Sequence, residues 1–417
     1  MSKSNIYFFK FTFVAFILLW AITTNAQGIV FGRLIDHVND LVTLMPGSSG
    51  NNFTNPSSDE VDLIEEAFDY VISMDLESAA STAAEFQYVV LRFVDNTLEN
   101  NQEFVILQPA PDGNNYWGTL IFNPDACSDL IIQCPHPRFD SNTGVQGAYI
   151  FTRIDARAML LSGTHRCNSN TASSCSGSTS VCGSSAAYRI SDVAHNDKSG
   201  YHWLTRFLDN TFEQQVFMQL HGFARQSSDP NLIVSNGTRD TPEPDPIASL
   251  RASLNEIDPA ITFKIANIHT EWTRLIGFTN TQGRYLNTSP DACSANASIA
   301  SGKFIHLEQE FDMFRKDETG WDLMYRGLDD AFGCTGTDTE FPNGPEFTIQ
   351  NNSISFENIQ QNKYLLQVVS FDGQTIYSKK VEPGAYYDLP QNTFIAFCVR
   401  DIASGKIKLT RKIYLVN

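Results

Sequence analysis

The sequence is poor in positive charge and in long hydrophobic runs. Its 417 residues contain 29 lysines and arginines against 47 aspartates and glutamates, which gives a formal net charge of −18. Nucleic-acid binding needs clustered basic side chains, so this deficit argues against a nucleic-acid partner and against binding to anionic lipid. After the first two dozen residues no apolar stretch reaches the roughly 20 residues of a membrane-spanning helix, which excludes a polytopic membrane protein.

Two motifs of common active sites are also missing. No Cys-x-x-Cys pair occurs, which disfavours a cysteine-based zinc site. No Gly-x-Ser-x-Gly elbow follows a predicted strand, which disfavours a serine nucleophile. What remains is a globular composition, with 42% hydrophobic and 18% charged residues, over a length typical of two or three domains.

The N-terminus has the features of an export signal. Lys3 and Lys10 flank the start of an apolar run at 11–22, and residues 24–26 supply the small side chains of a cleavage site. Residues 1–26 are therefore predicted to be a signal peptide, with an uncleaved anchor as the alternative. Cleavage would leave a secreted or cell-surface protein without a membrane span.

Export would place the eight cysteines in an oxidising compartment, where an even number favours disulfides. Cys167, Cys175 and Cys182 lie in a loop rich in serine, glycine and asparagine that has little else to order it. We expect Cys167 to pair with Cys175 or with Cys182. Cys134 is interpreted as a disulfide partner or a buried apolar residue rather than as a nucleophile.

Residues 354–417 differ in composition from the rest of the chain. They contain eight lysines and arginines against five acids, and their short alternating stretches are separated by Asp-Gly and Ser-Gly turns. This pattern predicts a small all-β sandwich domain, which follows a proline-containing linker at 338–353.

This tail resembles the C-terminal sorting domain of the Bacteroidetes type IX secretion system. The matching residues are the stretch 366–369, the turn at 372–374 with 376–380, and the closing pairs 405–406 and 412–413. The resemblance implies passage across an outer membrane, with the secretion machinery as a partner. The alternative is an accessory β module that binds a ligand.

The central region, 27–337, alternates strand-like apolar runs with helical stretches. Near-continuous apolar strands between helices are typical of a mixed, mostly parallel sheet with helices on both faces, so an α/β domain is predicted here. One of its helices is expected at 191–210. Ligands of such folds bind beyond the carboxyl ends of the strands.

Four of the eight histidines, His136, His165, His221 and His269, follow the ends of predicted strands. This placement lines several imidazoles along one edge of the sheet. Two imidazoles and one carboxylate with an open position make a catalytic zinc site, so we expect His136, Asp140 and His221 to hold one zinc ion per chain. His269 is interpreted as structural.

An acidic residue on the last strong strand is predicted to be the general base. Glu308 lies in an otherwise apolar run, where a carboxylate is costly to bury unless it is paired or functional. It is expected to take a proton from the attacking water. Glu310 is the alternative base, and His306, on the same side of the strand, is interpreted as structural.

The order of these residues resembles the zinc carboxypeptidase superfamily, which includes aminoacylase-like and poly-γ-glutamate hydrolase-like enzymes. His136, Asp140, His221 and Glu308 stand where that family has its first histidine, a neighbouring acid, a downstream histidine and a general-base glutamate. The likeness spans roughly residues 85–335. It departs from the usual His-x-x-Glu, because the acid here is an aspartate one residue further on. The resemblance implies metal-assisted hydrolysis of an amide or peptide bond.

Substrate binding is expected at the neighbouring strand ends. Arg166 is predicted to hold a substrate carboxylate by two hydrogen bonds, because an acidic protein attracts anions poorly at long range. His165 and His195 are expected to contact the substrate, and the alternative for His195 is a structural place near the start of the predicted helix. The prediction is a secreted zinc hydrolase acting on a peptide or small amide that has a carboxylate. A metal-free exported binding module and a hydrolase of another class, such as a phosphoesterase, are the alternatives.

Overall fold

The computed structural model describes residues 29–98, 101–212 and 214–334, together with strands of the C-terminal region. The chain divides into two compact units, residues 1–334 and 335–417. The helices of the first unit are α1 (Leu34–Leu44), α2 (Ser58–Ser73), α3 (Leu76–Glu85), α4 (Thr143–Arg153), α5 (Gly200–Thr211), α6 (Pro246–Ile257), α7 (Thr281–Leu286) and α8 (Glu318–Phe332). The expected signal peptide lies outside the described residues.

The first unit contains a mixed sheet of ten strands. These strands are β1 (Ile29–Gly32), β2 (Tyr88–Asp95), β3 (Gln102–Pro109), β4 (Thr119–Phe122), β5 (Ser128–Cys134), β6 (Ala156–Leu161), β9 (Val216–Gly222), β10 (Leu232–Ser235), β11 (Phe263–Ile265) and β12 (Phe304–Gln309). Two short strands, β7 (Ser178–Thr179) and β8 (Ala186–Ala187), pair separately. The order across the sheet is β1-β2-β3-β4-β6-β5-β9-β12-β10-β11. Five of the nine neighbouring pairs are parallel, so the predicted mostly parallel sheet is confirmed.

Helices cover both faces of this sheet, because its strands are apolar on both sides. One core lies under α1, α4, α6 and α8 and the other under α2, α3, α5 and α7. Alternate residues of β9 enter different cores: Met218 packs in the first and Phe217 in the second. The odd-numbered residues of β9 therefore share the face covered by α5 and α7.

Local sequence explains where individual helices begin. A capping box begins α2: the Ser57 hydroxyl accepts a hydrogen bond from the Glu60 backbone N–H, and the Glu60 carboxylate accepts one from the Ser57 backbone N–H. Ser199 caps α5 by accepting the His202 N–H. The helix predicted at 191–210 therefore begins only at Gly200, and its expected first part is a loop with one 3₁₀ turn at Val193–His195.

The described residues of the first unit contain three disulfides, of which two join segments that are more than 100 residues apart in sequence. Cys167 pairs with Cys182, one of the two expected alternatives. Two further pairs, Cys175–Cys293 and Cys127–Cys334, were not singled out from the sequence. Disulfides persist in oxidising compartments, so they indicate an extracellular or otherwise oxidising location.

Cys134 is expected to resist thiol reagents in the folded protein. Its side chain is fully buried, it contacts the Thr143 carbonyl, and burial raises the pKa of the thiol well above its usual value. Peptide mapping after iodoacetamide treatment should show Cys134 modified only when denaturant is present. The same non-reducing map should contain the three linked peptide pairs. Labelling of Cys134 without denaturant would contradict the burial.

The C-terminal region contains seven described strands in two antiparallel sheets. They are β13 (Glu346–Gln350), β14 (Ser353–Glu357), β15 (Tyr364–Ser370), β16 (Thr375–Lys380), β17 (Tyr386–Asp388), β18 (Phe394–Asp401) and β19 (Ile407–Tyr414). Glu346–Gln350 falls within the segment expected to be a linker. The packing of the two sheets as a sandwich stays a prediction. Among the described helices, none is long and apolar enough to cross a membrane.

Candidate functional site

The candidate site lies at the carboxyl ends of three adjacent parallel strands, β5, β9 and β12. His136 follows β5 by two residues, His221 is near the end of β9, and Glu308 is near the end of β12. The register of β9 and β12 places Glu308 directly beside His221. The parallel pairing therefore brings together residues that are far apart in sequence, at the edge where α/β folds bind ligands.

A single helical turn after β5 aligns His136 and Asp140. The Asp140 N–H donates to the His136 carbonyl at 2.7 Å, so the two side chains, four residues apart, project from the same side of the turn. This turn brings the Asp140 carboxylate to the His136 ring across a four-residue spacing.

Three ligand atoms converge here, one each from His136, Asp140 and His221. Asp140 Oδ2 is 3.5 Å from His136 Nδ1 and 3.3 Å from His221 Nδ1. Zinc bonds of about 2.1 Å in a tetrahedron separate neighbouring ligand atoms by about 3.4 Å. All three side chains are buried. Their donor types and separations therefore fit a zinc ion.

The charge states of these groups also suit a cation. Burial opposes ionisation of Asp140, but the two histidines hold the pKa of its carboxyl below the usual range. Burial lowers the pKa of His221 to about 4, so its ring is neutral at pH 7. Burial and Arg166 disfavour a charged His136, yet Asp192 and Asp140 raise the pKa of that ring above its ordinary value. An ionised carboxylate facing two imidazole nitrogens attracts either a proton or a metal.

Asp192 orients His136 from the far side of the ring. His136 Nε2 lies 2.8 Å from Asp192 Oδ1, and a carboxylate oxygen can only accept, so Nε2 has the proton. In the neutral ring His136 Nδ1 keeps the lone pair, and this nitrogen has no hydrogen-bond partner among the described residues. This is the carboxylate–histidine arrangement that holds metal ligands in place.

Glu308 lies beside His221 and has one carboxylate oxygen without a hydrogen-bond partner among the described residues. Its Oε2 is buried and has no hydrogen-bond partner within the described part of the chain. Burial and the neighbouring Asp140 raise the pKa of Glu308 to about 8. A carboxyl group with a pKa near neutrality can both take up and release a proton under working conditions.

His306, interpreted from the sequence as structural, lies close to the site. Its Nε2 is 3.9 Å from Glu308 Oε1, and its ring centroid is 4.4 Å from that of His221. Ligand atoms of His221, His306 and Glu308 form a second group close enough to bind a metal. His221 is a member of both groups, and one nitrogen lone pair binds only one ion.

Two of the three predicted substrate residues, Arg166 and His195, contact Asp192. Arg166 donates from Nε and Nη2 to Asp192 Oδ2 at 3.0 and 2.5 Å, so Asp192 occupies two of the donors that were expected to bind substrate. His195 Nδ1 is 3.1 Å from Asp192 Oδ1, and the ring stacks on Tyr188 with centroids 3.6 Å apart. His165 packs edge-on against Phe139 at 5.4 Å.

The other histidine and acid considered from the sequence have local roles. His269 Nδ1 accepts the Ile265 N–H at 2.9 Å. The Glu310 carboxylate accepts the N–H groups of Asp312 and Met313, so it caps the short helical segment that follows β12. Glu308, not Glu310, has its free oxygen beside the three converging ligand atoms.

Asp192 was not identified as a site residue from the sequence. It is 56 residues from His136 and lies in a loop, and within this segment only His195 is predicted from the sequence to be a site residue. Burial would raise the pKa of Asp192, but Arg166 and His195 hold it well below the usual range.

Replacing Asp192 by alanine is expected to lower the free energy of unfolding by about 3–5 kcal/mol, because it leaves the largely buried Arg166 charge unpaired. Asp129→Ala removes an exposed pair with Arg157 and should cost less than about 1 kcal/mol. Urea unfolding followed by tryptophan fluorescence measures both, since every tryptophan after the expected signal lies before residue 334. Equal losses in the two variants would contradict a central role for Asp192.

No protein-family model matches the chain, and a search of the curated proteins found no match. The function is therefore argued from the geometry of the site.

Proposed function

We propose that the chain is a secreted zinc-dependent hydrolase of amide or peptide bonds, similar to the zinc carboxypeptidase superfamily. One zinc ion per chain would be held by His136, Asp140 and His221. The observation that supports this most is that Asp140 Oδ2 lies 3.5 Å from His136 Nδ1 and 3.3 Å from His221 Nδ1, with His136 Nδ1 buried and unpartnered among the described residues. A buried polar atom without a partner is costly unless a ligand satisfies it.

Zinc held by His136, Asp140 and His221 would lower the pKa of a coordinated water to about 7 and would polarise the carbonyl to be cleaved. Glu308 takes a proton from the attacking water as the carbon–oxygen bond forms. Glu308 then gives this proton to the leaving nitrogen as the carbon–nitrogen bond breaks, so the base ends as it began. Asp192 keeps the His136 ring oriented throughout, because its carboxylate accepts from Nε2.

The proposed substrate is a peptide or small amide with a carboxylate. Arg166 supplies a positive charge near the ligand histidine His136, because both contact Asp192. His165 and His195 would contact the substrate as neutral rings, because burial lowers the pKa of each below its ordinary value. A substrate carboxylate would use the Arg166 donors that Asp192 leaves free. The proposal includes export by the signal peptide and by the tail that resembles a sorting domain.

The test is a substrate panel assayed with the purified, zinc-loaded full chain. N-acyl amino acids, short peptides and a phosphate monoester should be compared before and after treatment with 1,10-phenanthroline. We expect hydrolysis of an amide substrate, its loss on chelation and its return with added zinc. Turnover of the phosphate ester alone would favour a phosphoesterase, and a chain that binds no zinc and cleaves nothing would favour a binding module.

A further inference from the structure

Behind His221 lies a group of buried amide side chains that the proposed mechanism does not use. Gln219 precedes His221 by two residues on β9, so both side chains project from the same face of the sheet. Gln219 Oε1 is 3.1 Å from His221 Nε2. Gln133, Asn280 and Gln282 surround the Gln219 amide, and all four amides are at most 1% exposed. Buried amides at this density need every donor and acceptor matched.

The first constraint on Gln219 comes from Asn280. The backbone N–H of Gly283 donates to Asn280 Oδ1 at 2.8 Å, and a backbone N–H can only donate. The Asn280 atom turned toward Gln219 is therefore Nδ2, which donates to Gln219 Oε1 at 2.7 Å. This contact identifies the oxygen of the Gln219 amide.

The second constraint is independent and comes from Gln282. Its Nε2 donates to the Val193 carbonyl at 2.9 Å, and a carbonyl can only accept. Gln282 Oε1 therefore faces Gln219 and accepts from Gln219 Nε2 at 3.1 Å. Gln219 Nε2 also donates to Gln133 Oε1 at 2.9 Å. Both constraints leave Gln219 Oε1, an acceptor, facing His221.

We propose that Gln219 is a positioning residue that fixes the tautomer of His221. Because Oε1 can only accept, His221 donates from Nε2 and keeps its lone pair on Nδ1, the nitrogen 3.3 Å from Asp140 Oδ2. Gln219 thus accepts a hydrogen bond from Nε2 of His221, as Asp192 does from Nε2 of His136, and each leaves Nδ1 of its histidine free to bind a metal. The role of Gln219 in metal binding rests on the proposed function, whereas the tautomer itself does not.

The two orienting groups are also connected to each other. Gln282, which fixes Gln219, is bonded to the carbonyl of Val193, and Val193 directly follows Asp192. Gln282, on α7, therefore connects the turn that contains Asp192 to the Gln219 amide next to His221. Both ligand histidines are oriented before any ion binds.

The tautomer can be measured without metal and without an activity assay. Long-range ¹H–¹⁵N NMR of the full chain labelled with ¹⁵N-histidine separates protonated from unprotonated ring nitrogens, and His221→Gln assigns the signal. We expect the His221 proton on Nε2 in the metal-free protein and again after adding Zn²⁺. A proton on Nδ1 in the neutral ring would overturn the proposal.

Zinc affinity measured against a competing chelator tests the consequence. Gln219→Met keeps the side-chain length, removes the acceptor, and should weaken Zn²⁺ binding about 10- to 100-fold. Gln133→Met breaks a hydrogen bond to the same Gln219 amide, but Asn280 and Gln282 still hold that amide in place. The two variants should lose similar stability, because each leaves buried amide atoms unpaired, yet Gln133→Met should keep the wild-type affinity.

Gln219→Glu keeps an acceptor toward His221 Nε2, but its second oxygen faces the acceptor oxygens of Gln133 and Gln282, so it should cost more stability than Gln219→Met. Where it folds, it should recover most of the affinity lost in Gln219→Met, and the NMR measurement on the wild-type chain decides the matter if neither variant folds. Equal Zn²⁺ affinity in wild type, Gln219→Met and Gln133→Met would overturn the positioning role and leave the proposed function intact. A wild-type chain that binds no Zn²⁺ would instead overturn the proposed function, and the NMR measurement would still test the tautomer.

Discussion

Replacing Glu308 by glutamine is expected to lower kcat for amide hydrolysis by about 100- to 10,000-fold, the usual contribution of a general base. Glutamine has the same shape but cannot take the proton from the attacking water. The zinc content should stay unchanged, because Glu308 is not one of the three proposed ligands. Steady-state kinetics and metal analysis on the same preparation measure both quantities.

Folding should survive this change. The Glu308 carboxyl is buried with one oxygen unpartnered among the described residues, and burial already raises its pKa to about 8. A neutral amide is cheaper to bury there than an ionised carboxylate. The thermal midpoint of Glu308→Gln should therefore equal or exceed that of the wild type, so lost activity cannot be attributed to unfolding.

Glu310→Gln is the matched control, two residues away on the same segment. Glu310 accepts two backbone N–H groups, and an amide oxygen can still accept one of them. We expect nearly normal kcat with a small loss of stability. The reverse pattern, an inactive Glu310→Gln and an active Glu308→Gln, would transfer the role of base to Glu310.

The second large effect is expected from His221→Ala, which should reduce bound zinc from one ion per chain to almost none after dialysis. His221 supplies one of only three protein ligands in the proposed site. Its neighbour Glu308 is the proposed general base and is not expected to replace the lost ligand. Amide hydrolysis should disappear together with the metal. Elemental analysis of dialysed protein gives the stoichiometry directly.

His269→Ala is the control for this variant. His269 also follows a strand, but its Nδ1 accepts a backbone N–H from Ile265 and it is not among the metal-binding groups of the described residues. It should retain one zinc per chain. Loss of zinc from His269→Ala, or its retention by His221→Ala, would show that the ligands are other residues.

Sequence patterns were sufficient to predict the α/β class and the convergence of residues at one sheet edge. The apolar strands and the histidines that follow them are local signals, and parallel pairing brings the strand ends together. His136 and His221 are 85 positions apart, yet their ring centroids are 5.0 Å apart.

The orienting residues were harder to predict, because their roles depend on tertiary contacts. Asp192 lies in a segment whose composition favoured a helix. Contacts such as Asn196 Nδ2 to the Ile190 carbonyl hold it as a loop instead. Gln219 did leave a signal: it is a polar residue within an apolar strand, on the same face as His221. The orientation of the Gln219 amide, however, is set by Asn280 and Gln282, and no local sequence pattern connects these residues to Gln219.

The decisive measurement is anomalous X-ray diffraction at the zinc edge from crystals of the zinc-loaded protein. We expect one strong peak per chain, about 2.0–2.2 Å from His136 Nδ1, His221 Nδ1 and an Asp140 carboxylate oxygen, with Glu308 adjacent and not bonded to the ion. A peak among His221, His306 and Glu308, or no peak at this edge of the sheet, would contradict the proposed metal centre and the role given to Glu308.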